Sequence, residues 1–227
     1  MRVRERPIGV GIIGMGTVGG GVVKHFQDGR LEDFGLKLRR IAVRDPSKPR
    51  KTKFPITNNV NAILNDPSID IVVEVMGGLL AKDYLLEAIN QGKSVVTANK
   101  TVMARYAKLL FDASRSQSVD LGFEASVGGG IRIIDVLNTY KGEKINKIMG
   151  ILNGTTNYIL TQMEEGLTFD TALKRAQKKG FAEADHTLDT GGYDSRDKLA
   201  LLASLVFNSQ FDPEKISCTG ITDITPI

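Results

Sequence analysis

The sequence predicts an α/β protein: a doubly wound parallel sheet over residues 1–124, followed by a smaller α+β unit over residues 125–227. Two observations predict the sheet. Short apolar runs alternate with helical periods from Ile8 to Phe123, a spacing that implies βαβ units and parallel strands. The first run leads straight into Gly14-Met15-Gly16-Thr17-Val18-Gly19 and then a helical pattern. A third observation marks the second unit. Beyond residue 120 the alternation gives way to another glycine-rich turn and to longer helical periods.

The elements follow in order. Residues 8–13 form an apolar strand, and Val22, Val23 and Phe26 carry the helix after the glycine turn. Residues 36–43 are a second strand, ending at Arg44-Asp45, and residues 60–64 a short helix. Residues 69–75 read as a buried third strand, with Met76-Gly77-Gly78 at its carboxyl end. Leu85, Leu86 and Ile89 mark a helix over 81–91, and residues 94–97 a fourth strand capped by Ala98-Asn99-Lys100. A helix over 101–117 and a strand over 119–123 complete the alternation. In the second unit, Ile131, Ile134 and Leu137 place a helix over 131–140. Residues 144–153 alternate loosely and are expected as a strand. Helices follow over 155–165 and 169–179, with Gly180 in the left-handed position that ends the second. Leu199, Leu202, Ala203 and Val206 define the last, over 193–208.

Composition excludes several classes. Thirty Lys and Arg against 26 Asp and Glu leave a formal charge of +4, too small and dispersed for a nucleic-acid footprint. The 41% apolar and 25% charged content is that of an ordered globular protein. One cysteine, Cys218, rules out an intrachain disulfide and points to a reducing, cytoplasmic setting. The uncharged run from Ile8 to Val23 holds seven glycines, which makes it a poor signal or membrane helix.

The glycine turn requires its residues for a reason. Gly14 permits the tight turn, Gly16 lets the backbone approach a dinucleotide pyrophosphate, and Gly19 lets helix and sheet pack closely. With Thr17 and Val18 they open a helix whose N–H groups face the phosphates. This is a Rossmann-type arrangement. Ligands in such sheets lie beyond the strands' carboxyl ends, where Arg44, Met76, Gly77 and Lys100 also fall. Arg44 precedes Asp45 at the position that separates the two nicotinamide dinucleotides. Its guanidinium suits a 2′-phosphate, so NADP is expected, with NAD use also open. Asp194 and Lys198 are spaced i, i+4 on one helix face. By spacing alone they are a solvated helix pair.

Four blocks together carry a resemblance. They are the glycine turn, Val95-Val96-Thr97-Ala98-Asn99-Lys100, Glu124-Ala125-Ser126-Val127-Gly128-Gly129-Gly130-Ile131, and Gly150-Ile151-Leu152-Asn153-Gly154-Thr155-Thr156-Asn157-Tyr158-Ile159-Leu160. With Glu183-Ala184-Asp185, Asp194 and Lys198 they run the whole chain. The chain resembles the homoserine dehydrogenase family. The resemblance implies reversible NAD(P)-dependent hydride transfer between L-homoserine and L-aspartate 4-semialdehyde, in threonine and methionine biosynthesis. It implies that Glu183, Asp194 and Asp189 bind the substrate ammonium, and that Thr155 and Gly154 receive its carboxylate. Lys198 would move the proton, a role that asks for a desolvated amine. Lys100 would lie by the nicotinamide and substrate, with Gly180 against the cofactor. Main-chain carbonyls of Glu124, Val127, Gly129 and Ile131 would hold a monovalent cation, sodium by resemblance, and oxygen-only ligation suits a hard cation. The family pattern also implies a homodimer, with the second unit serving both substrate binding and dimerisation.

The chain departs from the family pattern at Arg132 and His186, where prolines are usual. The pattern also continues beyond Ile227, so the second unit is expected to be truncated. Two alternatives stay open: another NAD(P)-dependent oxidoreductase of small amino acids or semialdehydes, and a catalytically weak dinucleotide-binding fragment.

Overall fold

The structure, a computed structural model, describes residues 6–140 and 142–225. The chain divides into two compact units, Met1–Arg132 and Ile133–Ile227.

The first unit is a sheet flanked by helices. In chain order it runs β1 Ile8–Ile13, α1 Thr17–Gln27, β2 Leu36–Ala42, β3 Ile56–Thr57, α2 Asn61–Leu64, β4 Ile71–Glu74, α3 Ala81–Asn90, β5 Ser94–Thr97, α4 Lys100–Gln117 and β6 Leu121–Gly122. The six strands lie in the order β3-β2-β1-β4-β5-β6, and every neighbouring pair is parallel. The order reverses between β1 and β4, the switch point of a doubly wound sheet. Val10 and Ile12 of β1 pack with Val23 and Phe26 of α1 and with Leu38 and Ile41 of β2. Ile63, Leu85, Ile89, Val95, Met103 and Leu110 are also fully buried. Such strands read as apolar runs because helices cover both faces.

The turn before β4 illustrates how the loops are held. The Ser68 hydroxyl and amide both donate to Asp66, at 2.7 and 2.8 Å. The Ser68 hydroxyl, more than the opposing desolvation, holds the Asp66 carboxyl below its ordinary range. A lowered carboxyl stabilises the fold above its unfolded value, and that contribution disappears as pH falls through the folded value. Ser68→Ala is therefore expected to cost about 1 kcal/mol at pH 7, discounted for partial exposure. In urea titrations the deficit should vanish once Asp66 is protonated in both states, below its folded value.

The second unit is helical among its described residues: α5 Ile133–Thr139, α6 Gly154–Glu164, α7 Phe169–Lys178, α8 Thr187–Thr190 and α9 Tyr193–Val206. Ile159 and Met163 of α6 pack against Ala172, Leu173 and Ala176 of α7. Thr168 caps α7 by accepting from the Thr171 amide. Gly180 follows that helix at φ 76°, as its sequence position implies. The expected strand over 144–153 is a correction: those residues are irregular and largely exposed, Met149 by 78% and Ile151 by 77%. A strand requires a ladder partner, and no described residue pairs with this segment. Three short elements also lay beyond sequence reasoning. β3, α8 and the turn Pro213–Lys215 are too short to show a period.

Candidate active site

At the switch point, the three glycines of the turn do different work. Gly14 sits at φ 103°, and a Cβ there would meet the Met76 amide and Val75 carbonyl at 2.7 Å. A Cβ on Gly19 would meet the Gly14 carbonyl oxygen at 2.3 Å and a Val75 methyl at 3.1 Å. Gly16 is opposite in kind: no heavy atom lies within 4 Å of its Cβ position. It caps α1 without a side chain, and no acidic residue occupies the first turn. Thr17 and Val18 are exposed there. An open, uncapped helix start with its backbone bare is a cradle for an anionic phosphate. These residues fit a dinucleotide.

The rim around that cradle is tied by side chains that sequence reasoning did not single out. Glu74, fully buried at the end of β4, accepts from the Met76 amide at 2.9 Å and the Gly77 amide at 3.1 Å. Its other oxygen accepts from the Thr97 hydroxyl at 2.6 Å. Thr97 in turn accepts from the Asn99 amide, and Asn99 donates to the Gly78 carbonyl at 2.8 Å. The Asn99 side chain also caps α4 through the Val102 amide. The loops after β4 and β5 are thus one hydrogen-bonded piece, with Met76 and Gly77 on one side and Lys100 on the other. A buried acid inside an apolar strand was the available signal. Lys100 opens α4, where the helix dipole disfavours a cation. Thr97→Val should destabilise the protein by about 2 kcal/mol, because it strips a buried carboxylate oxygen of its donor. Thr97→Ser should recover most of that loss in urea denaturation.

At the end of β2, Arg44 is exposed. Asp45 is turned to its own loop, accepting from the Ser47 hydroxyl at 2.5 Å and amide at 3.0 Å. Those bonds hold its carboxyl below the ordinary range. Lys48 is exposed nearby in sequence. At the far edge of the sheet, Glu124–Ser126 is a 3-10 turn and Val127 is buried. Gly128 and Gly129 both take positive φ, 74° and 58°, and the Ile131 amide closes onto the Gly128 carbonyl at 3.0 Å. Of the four carbonyls expected to ligate a cation, that of Glu124 accepts from the Val127 amide at 3.3 Å. Main-chain carbonyls are of the oxygen type that a hard monovalent cation takes.

In the second unit, three of the expected residues, Asp189, Asp194 and Lys198, converge on the N-terminus of α6. The Asn153 side chain caps that helix by accepting from the Thr156 amide at 2.8 Å. It also donates to Asp189 at 2.6 Å and Asp194 at 2.9 Å. Lys198 pairs with Asp194 at 2.7 Å and donates to the Leu152 carbonyl at 2.8 Å. The pair is not a solvated helix pair: the side chains are only 18% and 6% exposed. Gly154, which opens α6, has nothing within 4 Å of its Cβ position. The Thr155 hydroxyl donates to the Phe181 carbonyl at 2.7 Å, holding the loop after α7 against the start of α6. Glu183 is on that loop, with its side chain exposed and its carbonyl accepting from Gln177. His186, at one of the two departures, bonds Thr190 at 3.0 Å and starts α8, and Arg132 lies exposed before α5.

The parallel sheet in this strand order, with an open phosphate cradle at its switch point, defines a Rossmann-type dinucleotide-binding protein, here joined to a helical unit with a buried acid–lysine cluster. Residues 14–124 match the family described as homoserine dehydrogenase, NAD binding domain, and residues 133–227 match homoserine dehydrogenase. The chain is 44% identical to the homoserine dehydrogenase of Synechocystis over 96% of its own length and 52% of that protein. It is 42% identical to the Bacillus subtilis enzyme, over 97% and 53%. A solved homoserine dehydrogenase from Thiobacillus denitrificans superposes with a TM-score of 0.88 at 40% identity, covering 97% of this chain and 53% of that one. A hyperthermophilic archaeal homoserine dehydrogenase in complex with NADPH gives 0.83 at 26% identity, covering 97% and 75%. The chain belongs to the homoserine dehydrogenase family. It spans about half the length of the curated relatives it matches.

Proposed function

We propose that the protein is an NAD(P)-dependent oxidoreductase that interconverts L-homoserine and L-aspartate 4-semialdehyde. The observation that carries this reading is the buried Asp194–Lys198 pair, joined through Asn153 to Asp189 at the start of α6. An amino-acid substrate brings an ammonium and a carboxylate. Asp189 and Asp194, with Glu183 on the adjoining loop, suit the ammonium, and the exposed start of α6 at Gly154 and Thr155 suits the carboxylate. The nicotinamide, when bound, takes or gives the hydride. In reduction, Lys198 supplies a proton at the carbonyl oxygen as it becomes a hydroxyl, and its pairing with Asp194 keeps the ammonium placed. In oxidation the step runs in reverse, and Lys198 takes the hydroxyl proton as the hydride leaves for the nicotinamide. Lys100 adds positive charge where an alkoxide develops.

NADP is the proposed cofactor. Exposed Arg44 is available to a 2′-phosphate, whereas Asp45 is engaged by Ser47. The phosphates rest on Gly14, Gly16, Thr17, Val18 and Gly19, with Met76, Gly77 and Gly180 as further cofactor contacts. A sodium ion on the carbonyls of Glu124, Val127, Gly129 and Ile131 would brace the turn rather than take part in chemistry. We further propose a cytoplasmic homodimer. A single cysteine suits a reducing compartment, and among the described residues no helix is long and apolar enough to cross a membrane. The test is NADP+ reduction by L-homoserine, followed spectrophotometrically. Turnover supports the reading. Turnover with another small amino acid alone, or NADPH binding with no turnover, overturns it.

A further inference from the structure

Every polar atom of the Asn153 side chain is committed. Its oxygen accepts from the Thr156 amide and hydroxyl, at 2.8 and 3.0 Å. Its nitrogen donates to two different carboxylates, Asp189 and Asp194. The amide cannot be turned over, because its oxygen would then face two carboxylates and its nitrogen an N–H donor. Asn153 is buried, 5% exposed, so water does not substitute for these bonds. The two carboxylate oxygens meet one nitrogen and are therefore no further apart than those two hydrogen bonds laid end to end. Anionic oxygens at such range repel unless donors stand between them.

From this convergence we infer that Asn153 is a positioning residue: its amide spaces Asp189 and Asp194 as a two-carboxylate receptor for the substrate ammonium. The inference rests on the homoserine reading above for the identity of that ammonium, but the spacing role stands apart from it. The division of labour is clear. Lys198 pairs with Asp194, on its own helix, and donates to the Leu152 carbonyl. Asn153 bridges α8 to α9 while anchoring both to α6. The charged groups around the amide are Asp189 from α8 and Asp194 and Lys198 from α9. The first turn of α6 brings no acid. Asp197, also on α9, lies beside Arg196 at 3.4 Å. Asp135 is on α5, which packs against α9, and His186 is bonded within the α8 turn.

Asn153→Asp separates this role from simple helix capping. It keeps an oxygen for the Thr156 amide, since Asp and Asn cap equally well, but it replaces the two donors with a third carboxyl. Three carboxyls this close favour keeping a proton, because like charges in one site oppose full ionisation. The thermal midpoint of Asn153→Asp is expected to fall as pH rises between about 5 and 8, relative to wild type. That readout needs no turnover. Asn153→Ser also keeps the cap and adds no charge. It should raise KM for L-homoserine about tenfold or more with kcat within about threefold and NADPH affinity unchanged, and should show no new ionisation. A pH profile of Asn153→Asp parallel to wild type overturns the spacing role, and an unchanged homoserine KM in Asn153→Ser overturns the substrate role. Should Asn153→Asp not fold at neutral pH yet fold at pH 5, the spacing role is supported. A wild-type protein that does not oxidise homoserine overturns the proposed function, while the pH profile still decides the spacing role.

Discussion

Gly16→Val is expected to weaken NADPH binding by about 100-fold or more, close to 2.7 kcal/mol, while its thermal midpoint stays within about 2 °C of wild type. The two halves of that expectation come from one observation. The Gly16 backbone is extended, at φ −81° and ψ −153°, and so accepts any L residue. Its Cβ position is empty of protein atoms. A side chain there strains nothing in the fold and projects where the pyrophosphate must approach the backbone. Gly19→Ala should behave in the opposite way. Its methyl would collide with the Gly14 carbonyl at 2.3 Å, and main chain cannot step aside as a flexible side chain can. The expected cost is about 2–3 kcal/mol in urea denaturation. Fluorescence titration with NADPH and a melting curve on both variants check the pair. Equal stability losses would mean that Gly16 is not facing a ligand.

The contrast shows what a spacing pattern can carry. G-x-G-x-x-G between a strand and a helix was enough to place β1, α1 and the site edge, because each glycine answers a steric demand that few other residues meet. The i, i+4 spacing of Asp194 and Lys198 was enough to put them on one face of α9, yet not to say that the face is buried. The partners that enclose the pair, Leu152 and Asn153 before α6, arrive from elsewhere in the chain. Asn153 and Glu74 were hidden for the same reason. Their partners lie 36 and 41 residues away for Asn153 and 23 away, at Thr97, for Glu74, and no local period records such a bond. Residues 144–153 failed in the other direction: their alternation suits a strand, but alternation supplies no partner to hydrogen-bond with.

Lys198→Ala should lower homoserine turnover by about 1,000-fold and leave NADPH affinity within about twofold. It should also cost about 3 kcal/mol of stability, because the Asp194 carboxylate, 6% exposed, loses its cation. The second effect threatens the meaning of the first, since a loosened cluster would lose activity for structural reasons alone. Lys198→Arg distinguishes them. A guanidinium still pairs with Asp194 and still donates toward the Leu152 carbonyl, so most of the stability should return. It does not give up its proton at any accessible pH, so turnover should remain lost. Recovery of turnover in the arginine variant would show that Lys198 serves chiefly to hold Asp194 in place. The proton would then have to move through another group.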